Sequence, residues 1–312
     1  MQYGSAELRI KETKDKTKRA GMDISFLALV VILLAIGVTM VLSASFARAY
    51  FDPGGVTKGK ATYYFIRQFI FAALGVAAMI ICSRLPVGFY KRFSMPVLIA
   101  AVILLMLVPI IGTNANGAKR WIGFGAFTIQ PSEIAKIGII LAFASMICAR
   151  RGRMKSFRYG ILPFAAILAA IVGLLVLEPH FSASIIIVAI GGVMLFLGGA
   201  RLVWFIAAAV AAGGGIAVLL TMFPYASTRI TTWRDPFAST SDEGYQIVQS
   251  LYSIGSGGLT GLGLGQSRQK YLYLPEEHND FIFSVVCEEL GFIGALLILT
   301  LFVLLIIRGY WI

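Results

Sequence analysis

The stretch Ile24–Ala44 reads ISFLALVVILLAIGVTMVLSA and holds no charged residue. A helix of about 20 apolar residues crosses a hydrocarbon core ~30 Å thick, because each residue adds about 1.5 Å. Seven further stretches share this apolar character: Phe65–Ser83, Pro96–Gly112, Ser132–Ala149, Tyr159–Leu177, Phe181–Ala200, Leu202–Phe223 and Phe281–Ile307. We therefore predict an all-α polytopic integral membrane protein with eight transmembrane helices.

Composition excludes the main alternatives to a membrane protein. Hydrophobic residues make up 58% of the 312 residues, charged residues make up 13%, and the mean hydropathy is +0.85. Soluble proteins carry about 25% charged residues, so a soluble, disordered or fibrous chain is excluded. The cysteines Cys82, Cys148 and Cys287 fall in or at the ends of different spans, which is neither a disulfide framework nor a metal-binding spacing. We interpret them as helix-packing residues.

The net charge of +12 orients the chain in the membrane. Numbering the gaps between spans alternately places most of the 27 lysines and arginines on one side, in its shorter segments. Basic residues in short loops mark the cytoplasmic side, so both termini are predicted to be cytoplasmic and no nucleic-acid partner is implied. Residues 1–22 form a polar cytoplasmic tail without a cleavable signal pattern, and residues 23–312 form a single transmembrane domain.

The longest segment between spans, residues 223–280, lies on the predicted outer side, where most of the acidic residues also lie. Long ordered loops are commonly functional. Its glycine-dense part, 255–265, lacks the Gly-Lys-Ser/Thr ending of a phosphate-binding loop. The spacing of Ile247, Leu251 and Ile254 predicts a helix over 245–254 that lies along the membrane surface.

Three motifs now give a family resemblance. They are NGAKRWI at 116–122, QPSEIAK at 130–136 and the loop from Trp233 to Glu289, which contains YLPEEHNDFIF at 273–283. Their order and spacing resemble the SEDS family (shape, elongation, division and sporulation), the FtsW/RodA/SpoVE group. The NGAKRW and YLPEEHNDFIF forms resemble the division-type FtsW branch more than RodA.

The resemblance implies a peptidoglycan glycosyltransferase of the bacterial plasma membrane. Such proteins transfer a growing lipid-linked glycan onto the 4-hydroxyl of lipid II and release undecaprenyl pyrophosphate. It further implies a divalent cation (Mg or Mn), a class B penicillin-binding protein as partner, and other proteins of the division or elongation complex. A lipid II flippase and a non-catalytic division scaffold are the alternatives.

Asp280 is the candidate catalytic base, because it corresponds to the essential aspartate of that family. It lies where the long outer loop meets the last span, and partial desolvation there would raise the proton affinity of a carboxylate. The structural alternative is an acid in the first helical turn, stabilised by the helix dipole. Glu276, Glu277 and His278, just upstream, are expected to be mostly solvated around a turn at Pro275.

The candidate substrate-binding residues surround the fourth span and the outer loop. Glu133 and Lys136 are i, i+3 neighbours at a helix start made by Pro131, so they form either a structural pair or a pyrophosphate site. Lys119, Arg120 and Trp121 lie upstream on the same predicted outer side, and two cations suit a phosphate. Trp121 suits either a sugar face or the interfacial belt. Arg234 either pairs with Asp235 or reaches a phosphate.

The remaining expectations concern two acids in the last span and two departures from the family pattern. Glu288 and Glu289 lie inside the last span, where carboxylates are costly, so one should pair with a basic or polar group of the bundle. His180, in Glu178-Pro179-His180, stands where many family members carry an acid, and we interpret it as a hydrogen-bonding corner. The chain ends at Ile312 after eight spans instead of the usual ten, so we expect a truncated product.

Overall fold

The computed structural model describes residues 22–52, 54–115, 118–124, 127–178, 180–222, 231–238 and 243–312. The described chain is mostly helical, with one small sheet. The helices are α1 (Ile24–Tyr50), α2 (Tyr63–Ser83), α3 (Val87–Ile111), α4 (Pro131–Ala149), α5 (Leu162–Leu177), α6 (Phe181–Leu197), α7 (Leu202–Met222), α8 (Glu243–Ser256) and α9 (Ile282–Trp311). The strands are β1 (Thr113–Ala115), β2 (Ala118–Phe124) and β3 (Phe127–Ile129).

Each predicted span coincides with a helix, although several boundaries differ. Among the described residues, six segments are long and apolar enough to cross a membrane: α1, α2, α3, α4, Phe157–Leu177 and α9, while α6 is apolar but shorter. Helix α3 begins at Val87, after Pro86 at its N-cap, and therefore continues through Pro96. The predicted start at Pro96 is wrong because the helix accommodates this proline in its interior.

Three further sequence predictions concern the outer loop, the polar tail and the cysteines. Helix α8 confirms the helix expected over 245–254. Most of the predicted polar tail, 1–21, lies outside the described residues, as do parts of the outer loop at 223–230 and 239–242. Among the described residues, the three cysteines form no disulfide bond.

The described residues form two compact units, which we treat separately; whether 23–312 is a single domain stays a prediction. Unit 1 takes the chain up to Arg84 and from Phe223 onward. In it α1 packs against α2 and α9, and α8 packs against α9. Its buried apolar cluster is formed by Met40, Ala44, Leu274, Val285, Val286 and Ile298. Arg308, near the end of α9, pairs with Asp23 at the start of α1, so these two helices run antiparallel.

A kink in α9 explains the glycine-dense stretch. Gly291 interrupts the helix with φ 67°, ψ −169°, a conformation that side chains rarely adopt. The loop 257–263 hydrogen-bonds to the freed backbone: the amide of Leu262 donates to the Glu288 carbonyl, at 2.9 Å, and that of Phe292 donates to the Gly258 carbonyl, at 2.9 Å. A Cβ on Gly291 would collide with the Gly261 amide. These glycines therefore allow close backbone packing.

Unit 2 spans Leu85 to Met222 and packs α3 against α4, and α6 against both α4 and α5. At its centre, the rings of Phe143 and Phe164 meet edge to face at 4.9 Å, and both side chains are fully buried. Strands β1, β2 and β3 form an antiparallel sheet in the order β1-β2-β3, which links α3 to α4. Our sequence analysis did not predict this sheet.

Candidate functional site

Asp280 lies in the loop immediately before α9, and its side chain is exposed. The helix starts at Ile282 with Phe281 as its N-cap, so Asp280 precedes the first helical turn. Within the described part of the chain, the carboxylate makes no hydrogen bond and no ion pair. The loop therefore places this carboxylate outside the helix, and its partial desolvation at the membrane boundary stays a prediction.

Arg48, at the end of α1, organises the residues that precede Asp280. Its Nη1 lies 3.4 Å from Oε1 of Glu276, and its Nε lies 3.2 Å from Oε1 of Glu277. Nδ2 of Asn279 donates to Oε2 of Glu276 at 2.9 Å. The backbone of Glu276 has φ 54°, in the left-handed region that non-glycine residues seldom occupy. Contacts from two directions thus hold a strained turn next to the candidate base.

Glu277 and His278 are buried, which contradicts the expectation that they are solvated. Glu277 is 0% exposed, and the His278 ring packs against the Tyr64 ring with 4.5 Å between ring centroids. Burial raises the pKa of Glu277, while the positive charge of Arg48 opposes that shift. Burial lowers the pKa of His278, and Arg48 lowers it further. The turn packs inward here because α1 and α2 supply Arg48 and Tyr64 to cover it.

A buried ion pair lies in the same unit. Nζ of Lys270 is 3.0 Å from Oε1 of Glu289, and both side chains are almost completely buried. The ammonium also donates to the carbonyl of Gly265 at 2.6 Å and to Oγ of Ser43 at 3.2 Å. This pair confirms that one of the two acids in the last span binds a basic group. Our sequence analysis did not single out Lys270, although two acids in an apolar span required such a partner.

Glu288 is satisfied by hydroxyl and amide groups. Its Oε2 accepts from Oγ of Ser267 at 2.6 Å and from Oγ of Ser253 at 3.1 Å. Its Oε1 accepts from the amide of Arg268 at 3.0 Å. The Glu288 carboxylate therefore joins α8 and residues 267–268 to α9, which is a structural role.

Arg234 has an exposed side chain. The expected ion pair between Arg234 and Asp235 is wrong for the described residues. Oδ1 of Asp235 instead accepts from the backbone amide of Ala238 at 3.2 Å, because an aspartate can close a local turn in this way. The candidate phosphate contact of Arg234 stays a prediction.

In unit 2, the ion pair between Glu133 and Lys136 is confirmed, with 2.7 Å between Oε2 and Nζ. Pro131 occupies the start of α4 as predicted, and Gln130 stands at the N-cap without a side-chain capping bond. Nε2 of Gln130 instead lies 2.7 Å from Nε2 of His180. This hydrogen bond agrees with the interpretation of His180 as a hydrogen-bonding corner.

The cationic residues of β2 divide between two faces, since side chains alternate along a strand. Lys119 and Trp121 share one face; Nζ of Lys119 is 3.5 Å from the Pro109 carbonyl, and Trp121 is partly exposed. Arg120 shares the other face with Ile122, which is buried. The three predicted residues therefore do not form one surface.

Arg120 influences a second buried acid, which our sequence analysis noted without assigning a site. Glu178 is 3% exposed, and burial raises its pKa from 4.5 to about 7, an effect that Arg120 opposes. Burial also lowers the pKa of His180; the positive charges of Arg120 and Lys136 lower it further, and the negative charge of Glu133 opposes the shift. Three of the predicted substrate-binding residues, Arg120, Glu133 and Lys136, thus lie close enough to His180 to affect its titration.

Sequence comparisons identify relatives over nearly the whole chain. Residues 24–312 match the family model of FtsW, RodA and SpoVE, described as "Cell cycle protein". A probable peptidoglycan glycosyltransferase FtsW of Pseudomonas fluorescens is 38% identical over 296 residues, covering 94% of this chain and 72% of the relative. The stage V sporulation protein E of Bacillus subtilis is also 38% identical over 296 residues, covering 94% of this chain and 79% of the relative.

Two solved structures share the fold. A chain from a peptidoglycan synthase complex, described as coordinating polymerization and crosslinking, superposes with a TM-score of 0.70 at 25% identity. That match covers 93% of this chain and 77% of the other. The rod shape determining protein RodA of Thermus thermophilus superposes with a TM-score of 0.60 at 24% identity, over 93% of this chain and 74% of the other.

Proposed function

The chain belongs to the FtsW/RodA/SpoVE family, and we propose that it is a membrane-embedded peptidoglycan glycosyltransferase that polymerises lipid II. The observation that carries this proposal is the family match over residues 24–312 together with relatives named as peptidoglycan glycosyltransferases. The structural neighbour from a peptidoglycan synthase complex supports the same activity.

Asp280 is the proposed general base. Its carboxylate takes the proton of the 4-hydroxyl of the acceptor lipid II as that oxygen attacks the anomeric carbon of the donor glycan. The bond between that carbon and the pyrophosphate oxygen breaks, and undecaprenyl pyrophosphate leaves with the electron pair. An exposed carboxylate without a competing partner is available for this transfer, since a base must come within hydrogen-bond reach of the proton that it removes.

Arg48 is the proposed positioning residue for that base. It contacts the two glutamates that precede Asp280, and Glu277 and His278 anchor the same turn in the protein interior. A catalytic group gains from being held in its reactive geometry before the substrate arrives. The buried anchors therefore allow Asp280 to be exposed and still well positioned.

The proposed pyrophosphate ligands in unit 2 are Lys136 and Arg120, with Glu133 orienting Lys136 through their ion pair. Charge-assisted hydrogen bonds from such cations stabilise a departing diphosphate. Lys119 and Arg234 are exposed and are proposed to contact phosphate. Trp121 is proposed to contact a sugar face or to anchor the unit at the membrane interface.

A divalent cation, Mg or Mn, is proposed to bind together with the substrate. Among the described residues, no three or more His, Cys, Asp or Glu side chains are arranged so that they could hold a metal ion by themselves. Mg²⁺ is commonly held by one or two carboxylates plus substrate phosphates, and Glu133 would supply such a carboxylate beside the proposed pyrophosphate ligand Lys136. The cation would neutralise charge on the leaving diphosphate.

The proposed topology has eight membrane spans, both termini in the cytoplasm and residues 223–280 outside the plasma membrane. The six helices of sufficient length and hydropathy support a multi-pass arrangement. The contact between Asp23 and Arg308 supports placing the start of α1 and the end of α9 on the same side. A class B penicillin-binding protein is the proposed partner, in line with the synthase complex, which couples polymerization with crosslinking.

Replacing Asp280 by Asn tests this assignment. We expect polymerisation of lipid II by the purified protein with its penicillin-binding partner to fall at least 100-fold, since general-base catalysis contributes about 10²–10⁴. The matched control is Asp235→Asn, another exposed loop carboxylate in the same unit, which should retain activity. The products are glycan strands resolved by gel electrophoresis.

The same variants separate the alternatives. A flippase would translocate labelled lipid II equally well with Asp280→Asn, and the wild type would make no glycan. A scaffold would bind its partner, and neither variant would change any rate. Polymerisation by Asp280→Asn at the wild-type rate would refute the catalytic role of Asp280.

A further inference from the structure

One end of unit 2 carries a dense group of cations that the proposed reaction does not use. The connection from α4 to α5 contains a 3₁₀ turn, Arg151–Arg153, and a π-helical turn, Phe157–Ile161. The start of α7 lies at this end, because the Phe157 ring packs against the Trp204 ring with 4.7 Å between ring centroids. The cations here are Arg150, Arg151, Arg153, Lys155, Arg158 and Arg201.

No acidic residue of the unit lies near this end. Between Leu85 and Met222 the sequence has two acids, Glu133 and Glu178. Glu133 is in the first turn of α4, and the cations follow its last turn, so a helix of 19 residues separates them by about 28 Å. Glu178 likewise follows the far end of α5. At such distances solvent and salt screen the attraction, so these cations lack a counter-charge within the unit.

Two of the arginines hold a defined arrangement. The guanidinium carbons of Arg153 and Arg158 each lie 5.9 Å from the centre of the Tyr159 ring. We call Arg153, Tyr159 and Arg158 the arginine–tyrosine clamp. Contact with an aromatic ring limits the freedom of a guanidinium and leaves its hydrogen-bond donors available. All three residues of the clamp are exposed.

Buried donors beside the clamp lack a hydrogen-bond partner in the described residues. They are Nη1 of Arg150, whose guanidinium lies over the Phe164 ring, and Nε1 of Trp204. A buried donor without an acceptor is costly, so both N–H groups favour an oxygen acceptor close to them. Two N–H donors and two clamped guanidiniums call for an anionic ligand with several oxygens.

We propose that this end of unit 2 binds the headgroup of an anionic phospholipid, with its phosphate between Arg153 and Arg158. The exposed Phe157 and Tyr159 provide apolar surface for the acyl chains next to the headgroup. An acidic protein partner would not require such a surface. Basic residues at a span end attract anionic lipids, and the clamp adds a fixed geometry to that attraction. The site is independent of the proposed catalytic residues.

The test measures binding of phosphatidylglycerol to the purified protein in a non-ionic detergent by native mass spectrometry, with phosphatidylcholine as the neutral comparison. We expect wild type to retain phosphatidylglycerol in preference, and Arg153→Gln/Arg158→Gln to raise its Kd on the order of tenfold. Arg153→Lys/Arg158→Lys keeps both charges and should give an intermediate Kd, so this variant also tests the site if the glutamines impair folding.

The matched control is Lys91→Gln/Arg92→Gln. Lys91 and Arg92 are exposed cations near the start of α3. Replacing them removes the same amount of charge and leaves the arginine–tyrosine clamp unchanged. Their Kd should stay within about twofold of wild type. If both double substitutions weakened phosphatidylglycerol binding equally, the proposal would be overturned, because general surface charge would then explain the binding. Equal retention of the two lipids, or displacement of phosphatidylglycerol by an acidic peptide at equal concentration, would also overturn it.

Discussion

Replacing Lys270 by Met should destabilise unit 1 strongly. The ammonium is the counter-charge of Glu289, which is 1% exposed, and it has three oxygen partners within 3.2 Å. Methionine has a similar length and a flexible, apolar side chain, so the loss of charge outweighs the loss of packing. Removing one partner of a buried pair typically costs about 3–5 kcal/mol.

The surroundings of Glu289 place the expected cost near the lower limit, at about 3 kcal/mol. Oγ of Ser43 lies 2.7 Å from both carboxylate oxygens, and the amide of Ser267 donates to Oε1 at 3.3 Å. These donors partly stabilise the carboxylate after the lysine is removed. The double variant Lys270→Met/Glu289→Gln removes both charges and should therefore recover at least about 1 kcal/mol of that loss.

The assay is equilibrium unfolding in mixed micelles with increasing dodecyl sulfate, followed by tryptophan fluorescence, for wild type, the two single variants and the double variant. The control is Lys91→Met, an exposed lysine in unit 2, which should change stability by less than about 0.5 kcal/mol. If Lys270→Met costs less than about 1 kcal/mol, or if the two single effects add without coupling, the reasoning from the buried pair is refuted.

Two further predictions concern Glu178 and Gly291. Burial raises the folded-state pKa of Glu178 from 4.5 to about 7, so the contribution of this carboxyl to stability is full below pH 4.5 and is lost as the pH rises through 7. Glu178→Gln should flatten this pH dependence in thermal unfolding scans. A pH profile unchanged by the substitution would contradict the prediction. Gly291→Ala should cost at least about 2 kcal/mol of unfolding free energy or prevent folding, since the added Cβ would meet the loop backbone. Gly75→Ala is the control, because its Cβ has free space and the substitution should be neutral or stabilising. Equal unfolding midpoints for the two variants would contradict the prediction.

The apolar helices were predictable because local hydropathy decides them. A run without charge must avoid water along its whole length, so each of the helices that coincide with the predicted spans could be located from local hydropathy. The pair of Glu133 and Lys136 was equally predictable, because helical spacing places i and i+3 on one face. The sheet from Thr113 to Ile129 was not, since two of its three strands have only three residues each, too few to show an alternating pattern.

The contacts around Asp280 could not be predicted from local pattern. Arg48 and Glu276 are 228 positions apart in the chain, and Lys270 meets Ser43 at a separation of 227. Such contacts depend on α1 packing beside α9, which hydrophobic periodicity does not specify. The burial of Glu277 was missed for the same reason, because an acid after a proline turn is ordinarily solvated. Two acids inside an apolar span were the one signal that a buried lysine was needed.

The structure argues against the interpretation of Asp280 as a helix-dipole acid. That role would place the carboxylate at the first free amides of α9, yet Asp280 precedes the N-cap and accepts no hydrogen bond from the described residues. Such an exposed acid contributes little to folding, so Asp280→Asn should change stability by less than about 0.5 kcal/mol. The chain on both sides of Asp280 is nevertheless held in place. Leu274 and Glu277, which precede it in sequence, are fully buried. Glu288, which follows it, accepts from the amide of Leu262 through its carbonyl and from the amide of Arg268 through its carboxylate. Such rigid support around a side chain of negligible structural value is the arrangement that a catalytic carboxylate requires.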